Sequence, residues 1–477
     1  MQDCKRNLIG GEWVSPQAFS ENCNPADPDE LIGLYARAEA GDVARAVEAA
    51  KTAQPAWAAA SPQLRSDVLR RAGDMLLARN NEMGRLLARE EGKTLAEAKG
   101  EALRAAQLFH FFSGEAVRNP GEKLTSIRDG VEVDVMREPL GVVGLITPWN
   151  FPIAIPAWKT APALAAGNAV VLKPADLTPG CAHLLAEILV EAGCPGGVFN
   201  LVMGSGSVIG KALVEHPDVA AISFTGSERV GRGIAAGCAQ GLKKVQLEMG
   251  GKNPMVVLAD ADLDVAVNAC LNGAFFSTGQ RCTASSRLIV EERIHDAFVD
   301  RMRQVMAALR IGDPLDEAVQ IGPVVSEGQL AGNLDYVRIA GEEGCEVVGG
   351  ERLDRPGYFQ NPALFVGATN RMRTSREEIF GPCASVIRVA DFDEALAVAN
   401  DTPFGLSSGI CTSSLKHATA FRRGSRAGMV MVNLPTAGVD YHVPFGGRGA
   451  SSLGGREQGR IAMDFYTSVK TAYVFAG

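Results

Sequence analysis

Val142-Val143-Gly144-Leu145-Ile146-Thr147-Pro148-Trp149-Asn150-Phe151-Pro152 is the stretch whose reading decides the fold. A short apolar run breaks at a Thr-Pro pair, and the whole segment from Leu140 to Trp158 carries no charge. A membrane span is one reading of such a segment. Pro148, Pro152 and Pro156 argue against it, because each ring removes a backbone donor that a spanning helix must satisfy internally. The segment therefore reads as a buried strand followed by a Pro-rich active-site loop.

Outward from it, Ala169-Val170-Val171-Leu172, Val198-Phe199-Asn200-Leu201-Val202 and Ala220-Ala221-Ile222-Ser223-Phe224 repeat the same short apolar pattern with helical periodicity between them. That is a βαβ series and hence an α/β fold with an open, doubly wound parallel sheet buried on both faces. A second α/β series runs through Pro254-Met255-Val256-Val257-Leu258, Leu288-Ile289-Val290, Glu346-Val347-Val348, Ala384 to Val389 and Met429-Val430-Met431-Val432. Ahead of both, Asn7 to Val14 and Leu31 to Ala38 flank Asn24-Pro25-Ala26-Asp27-Pro28 and suit an opening β-hairpin. Val43 to Phe112 is helical, broken near Ser61-Pro62 and Gly92 into two or three amphipathic helices. Val131 to Arg137 and the tail Phe465 to Val474 alternate strictly, which predicts two strands that pair outside both lobes and leave an edge able to recruit another subunit.

The chain has 477 residues, too many for one core, so two or three lobes are expected. A net charge of −8 with no basic run argues against nucleic acid as a partner. Ten cysteines without a C-x-x-C pair, and six histidines without metal-ligand spacing, point to reduced thiols, a cytoplasmic setting and no structural metal. The start lacks the apolar core of a secretory signal.

Cys282 stands apart from the other nine cysteines. Ser277, Thr278, Gly279, Gln280, Thr283, Ser285 and Ser286 surround it with a polar loop suited to holding a thiolate. Glu248 ends an apolar run before Met249-Gly250-Gly251; it is either a carboxylate opening on the cleft, able to move protons for a water, or a solvated turn residue. Asn150 is either an oxyanion donor or a turn former before Phe-Pro. Gly204-Ser205-Gly206-Ser207-Val208-Ile209-Gly210 is a poor dinucleotide fingerprint with one residue too many. Phe224-Thr225-Gly226-Ser227-Glu228 is better, since a strand ends at a Gly-Ser turn and a helix begins where a pyrophosphate could lie. Lys173 and Asp176 either reach ribose hydroxyls or form a surface ion pair.

Taken with Lys173-Pro174-Ala175-Asp176, Glu248-Met249-Gly250-Gly251-Lys252, Gly279-Gln280-Arg281-Cys282, Glu377-Glu378-Ile379-Phe380-Gly381-Pro382, Asn400 to Leu406 and Pro444-Phe445-Gly446-Gly447, these motifs make the chain resemble the NAD(P)-dependent aldehyde dehydrogenase superfamily over essentially its whole length. The resemblance implies a variant Rossmann cofactor lobe in 1–118 and 140–249, a catalytic lobe in 250–432, a substrate loop in 433–454, and oligomerisation strands in 119–139 and 455–477. It implies that Cys282 attacks the aldehyde as a thiolate, that Asn150 and the Cys282 backbone N–H hold the oxyanion, and that Glu248, 34 residues upstream, activates the water that hydrolyses the thioester. NAD or NADP is implied as cofactor, lying on Ile146, Pro148, Trp149, Lys173, Ala175, Asp176, Gly206, Phe224, Gly226, Ser227, Val230, Met249, Gly250, Glu378 and Phe380. Asp176 stands where many NAD-preferring members carry Glu and leaves room for a 2′-phosphate. A homodimer or homotetramer is implied, with no membrane partner.

Asn433 to Phe445 resembles the substrate loop of the α-ketoglutaric semialdehyde (2,5-dioxopentanoate) dehydrogenases, which implies a semialdehyde carrying a carboxylate. Succinic semialdehyde or another ω-carboxy aldehyde is the alternative, and a catalytically dead binding protein on the same fold is the alternative outside enzymes. A desolvated carboxylate needs a cation. Some acid-semialdehyde members have Arg where this chain has Trp158, so Arg104 or Arg281 becomes the candidate, each with an ordinary structural reading beside it. Phe151, Thr283 and Phe445 complete the expected substrate wall.

Overall fold

The structure, a computed structural model, describes residues 4–118 and 121–477. The first two residues of the region 119–139 thus lie outside the described ones. Five parallel strands form the centre of an eight-stranded sheet: Val142–Ile146, Ala169–Lys173, Phe199–Leu201, Val219–Thr225 and Lys244–Glu248. Counted from Val142–Ile146, their spatial order is 3-2-1-4-5, so the order reverses between Val142–Ile146 and Val219–Thr225. Loops leaving the two strands at such a reversal splay apart and open a crevice beyond the strand ends.

These strands are mostly apolar and largely buried because both faces are covered. Val143, Leu145, Val170 and Leu172 pack into one core, and Val142, Ile146, Ala169 and Val171 into the other. The second sheet has seven strands, ordered Glu346–Gly349, Ala363–Val366, Cys383–Val389, Ser285–Glu291, Asn253–Val257, Ser407–Cys411 and Met429–Val432. It shows the same division, with Met255 and Val257 on one side and Val256 and Leu258 on the other.

Several elements differ from the sequence reading. The opening hairpin is two hairpins. Asn7–Ile9 with Glu12–Val14 extends the eight-stranded sheet, while Ala18–Asn24 with Asp27–Arg37 stands alone, its turn at Asn24 to Asp27. Val43 to Phe112 lies in four helices, Ala40–Ala59, Pro62–Ala78, Asn80–Glu91 and Leu95–Ala116, the extra break falling at Arg79. The Pro-rich stretch turns helical at Ala154–Ala165, with Pro156 in the first turn, where the fixed φ of proline is tolerated. Glu346–Gly349 is an antiparallel edge strand.

Thr467–Phe475 pairs antiparallel with Val131–Pro139 over its whole length, and Glu122–Thr125 completes a three-stranded sheet. Among the described residues, no helix is long and apolar enough to cross a membrane.

Candidate active site

The loop that carries Cys282 is set by backbone geometry. Ser277, Thr278 and Gly279 adopt φ of 50°, 55° and 65° in succession. Such a run is strained for side-chain-bearing residues and persists only where neighbours hold it. Glu97 Oε1 accepts from Ser277 N at 2.8 Å and Ser277 Oγ at 2.9 Å, and Thr278 Oγ1 donates to Gly322 O at 3.1 Å. Gly279 is obligatory, since a Cβ there would lie 2.1 Å from Gly381 O. Gln280 then turns the chain, with its Oε1 accepting from Val325 N at 3.0 Å, and Asn253 Nδ2 fixes Cys282 O at 2.8 Å.

The Cys282 thiol is pushed up to about 12, first by burial and then by the fields of Glu248, Glu378 and Glu457. Glu248 ends the strand Lys244–Glu248, as the sequence suggested, but its side chain lines none of the surrounding cavities. It does not open directly on the cleft. Its Oε2 accepts from Ser452 Oγ at 2.6 Å, its Oε1 has no hydrogen-bond partner among the described residues, and the residue is 1% exposed. Burial and the neighbouring Glu457 raise its carboxyl well above the ordinary range. Behind it, Glu457 pairs with Lys159, whose Nζ also donates to Ser223 Oγ at 2.8 Å. A charged Glu248 thus opposes ionisation of the Cys282 thiol.

Asn150 leaves the strand Val142–Ile146 on the crevice side. Its Nδ2 donates to Gln280 O at 2.9 Å, and its backbone O accepts from Lys93 Nζ at 2.7 Å. Lys93 is buried and also donates to Glu101 Oε2 at 2.8 Å, while Glu101 Oε1 accepts from Ile153 N and Ala154 N at the start of the helix. Sequence reasoning missed Lys93, Glu101, Glu457 and Ser452. Glu101 lies on an amphipathic helix, where charge reads as solvated, and Lys93, Ser452 and Glu457 lie outside helices in segments with no local signal; only the tertiary structure shows that they face inward.

Two cavities meet at Cys282. The first, with its extension, follows the splayed strand ends. A space of about 280 Å³ is lined by Pro148, Trp149, Asn150, Met249, Gly250, Glu378 and Phe380 among others. It continues into one of about 1070 Å³ whose walls include Ile146, Lys173, Ala175, Asp176, Gly206, Phe224, Gly226, Ser227 and Val230. All the residues expected to hold a dinucleotide therefore line one continuous groove. Lys173 Nζ pairs with Asp176 Oδ1 at 2.8 Å, and Lys211, Arg229 and Lys243, not singled out in the sequence, also line the groove. The extra residue in the glycine-rich stretch is taken up by a wide π turn over Gly206–Gly210. Glu378 Oε1 accepts from Gly251 N at 2.8 Å, and a Cβ on Gly250 would lie 2.0 Å from that oxygen. Burial holds the Glu378 carboxyl up at about 7. Phe380, at φ 61°, meets Trp149 edge-on at 5.3 Å.

The second cavity, about 320 Å³, is lined by Arg104, Phe151, Trp158, Arg281, Thr283 and Phe445, together with Lys93, Glu101 and Gln458. The two arginines differ. Arg281 is engaged, its Nη2 bonded to Glu97 Oε1 at 3.1 Å and its Nη1 near Asn272 O at 3.4 Å. Arg104 Nη1 is buried with no hydrogen-bond partner among the described residues. Burial lowers the Arg104 guanidinium, and Asp440 on the late loop opposes that shift.

Residues 13–472 match the model of the aldehyde dehydrogenase family. The chain is 44% identical to the α-ketoglutaric semialdehyde dehydrogenase of Bacillus subtilis, covering 99% of this chain and 98% of that one. It is 39% identical to the NADP-dependent succinate-semialdehyde dehydrogenase of Escherichia coli over 97% and 96%. Among solved structures, betaine aldehyde dehydrogenase of Staphylococcus aureus in complex with NAD+ superposes with a TM-score of 0.97 at 31% identity, covering 99% and 95%.

Proposed function

This chain belongs to the aldehyde dehydrogenase family, and from that premise we propose that it oxidises α-ketoglutaric semialdehyde to α-ketoglutarate, with NAD or NADP as acceptor. The observation that carries the substrate class is Arg104. Three cations line the substrate cavity. Lys93 is bonded to Glu101 and the Asn150 carbonyl, and Arg281 to Glu97, while Arg104 keeps a buried nitrogen without a partner among the described residues. A cation left this way is compensated by an anion that arrives with the ligand. The relatives named for α-ketoglutaric and succinic semialdehydes, both acids, support the same class.

The dinucleotide groove fits its ligand. Its walls combine turn N–H groups after strands, a lysine beside an aspartate for the ribose, and several glycines, Gly206 and Gly226 among them. When bound there, the nicotinamide supplies the hydride acceptor. The Cys282 thiol gives up its proton to water, and the thiolate Sγ attacks the aldehyde carbon, whose C=O π pair moves onto the oxygen as the C–S bond forms. In this reading the second N–H of Asn150 Nδ2 and the Cys282 backbone N–H donate to that oxygen. After oxidation a thioester remains on Cys282. Glu248, turned from Ser452 toward the thioester, takes a proton from the water that cleaves it. We assign the groove to a cofactor lobe and the Cys282 loop to a catalytic lobe. The sheet of Thr467–Phe475 and Val131–Pro139, whose outer strand exposes Val469, Tyr473 and Phe475, is assigned to assembly into a dimer or tetramer. Ten free cysteines suit a reducing, cytoplasmic setting.

The test is kcat/KM across α-ketoglutaric semialdehyde, succinic semialdehyde and simple alkanals, repeated for Arg104→Gln. The variant is expected to lose about 10²-fold on the acids and little on the alkanals, as removal of a charge-assisted bond predicts. Equal wild-type rates on acids and alkanals overturn the reading. Succinic semialdehyde as the better acid selects the second reading, favoured by the Escherichia coli relative.

A further inference from the structure

Arg104 is not the only group in the substrate cavity that lacks a partner. Among the described residues, Trp158 Nε1 and Gln458 Oε1 also find no hydrogen-bond partner and are buried, and both residues line the same cavity as Cys282. A tryptophan N–H can only donate, and a buried one ordinarily finds an acceptor. Trp158 is 8% exposed, so bulk water does not fill that role freely. Its ring is fixed by the helix Ala154–Ala165 and by Phe445, whose ring centre lies 5.3 Å away at 34°.

We propose that the Trp158 indole N–H receives the keto oxygen of the substrate, making Trp158 the residue that selects a keto-semialdehyde over the plain ω-carboxy aldehyde of the same length. The inference rests on the acidic-semialdehyde reading above and deepens it. In that reading one end of the ligand is held at Arg104 and the other reacts at Cys282, so a donor without a partner in the same wall is matched by an acceptor between the two ends. The keto oxygen is an uncharged acceptor in that position. Gln458 adds to the match. Its backbone is held at φ 57°, beside the paired Glu457, and its amide presents either an oxygen or an NH2 according to which way the group is turned. With the NH2 inward it becomes a second donor for the same oxygen. A ligand lacking the keto group leaves the indole N–H dry, and sites built to bond a group discriminate strongly against analogues without it.

The experiment compares α-ketoglutaric semialdehyde with glutaric semialdehyde, which has the same length and carboxylate but no keto oxygen. The wild-type enzyme is expected to prefer the former by about 10- to 100-fold in kcat/KM. Trp158→Phe keeps the ring and removes the N–H; it is expected to bring the ratio to within about twofold of unity by lowering only the keto substrate. Thermal melting and the cofactor KM report whether the variant is intact. A wild-type ratio near unity overturns the proposal without recourse to any variant, and so does an equal fall on both substrates in Trp158→Phe. Arg104→Gln separates the two readings, since it is expected to lower both acids alike and preserve their ratio. If it lowers neither while Trp158→Phe still collapses the ratio, the carboxylate anchor fails and the indole assignment stands.

Discussion

The two cavities that meet at Cys282 are built from different material. On the cofactor side the walls are largely strand ends and turns: Pro148 to Asn150, Thr225 to Ser227, and Met249 to Gly251 follow three adjacent parallel strands. On the substrate side they are side chains projected from the helices Leu95–Ala116 and Ala154–Ala165 and from the late loop. A wall of backbone tolerates changes of side chain and keeps one function; a wall of side chains alters its preference with each substitution. The shared chemistry therefore belongs with the first wall and substrate choice with the second.

The comparison can be broken most directly at its meeting point. Cys282→Ala is expected to lower aldehyde oxidation by roughly 10⁴-fold or more, while the thermal shift on adding NAD(P)+ stays as in the wild type. Loss of that shift would show that the two sides are not separable. Next in size is Glu248→Gln, expected to slow turnover by about 10²- to 10⁴-fold after a burst of roughly one NAD(P)H per site. In the unmodified enzyme the Glu248 carboxyl titrates above its ordinary value, and the role proposed for it requires the carboxylate form. Steady-state rate should therefore rise with pH through that titration and fall as the group is protonated, a limb that the Gln variant lacks. An unchanged steady-state rate in the variant removes Glu248 from the mechanism.

Lys173→Met sharpens the cofactor side alone. The KM for NADP is expected to rise by about tenfold, with the preference among aldehydes unchanged. A change in aldehyde preference would mean that the two walls communicate. The smallest effect concerns Glu91, buried beneath the substrate wall, whose carboxyl is lifted to about 8, first by burial. Its unfolded value lies near 4.5, so the folded protein holds the proton longer. Stability is greatest below the unfolded value and declines as pH rises toward 8. Glu91→Gln should flatten that decline, visible as about 1–3 °C in Tm between acidic and mildly alkaline buffer. An equally steep decline in the variant assigns the effect to other groups.

Legibility in the sequence divides along the same line. Strand ends and glycine turns are local signals, so Asn150, Lys173, Ser227 and Glu248 were placed at strand ends from short patterns alone. Helix faces are not local. Glu90, Glu91 and Lys93 look like a solvated charge run, yet each is almost wholly buried. The interior strand Ser407–Cys411 was missed for a related reason. It is buried throughout but built of small residues, because a Cβ at Gly409 would come within 2.6 Å of Met255, and small residues give no apolar run to read. The orientation of Glu248 depended on Ser452, some 200 residues away, which no local pattern contains.

Among the described residues, the walls on the two sides of the thiol have only Cys282 in common. The protein thus has two doorways and one threshold. The aldehyde and the dinucleotide need not queue behind one another, and the acid can depart while the nucleotide remains seated. An obstruction at one entrance leaves the other open, so inhibitors shaped for the two mouths should occupy the enzyme together.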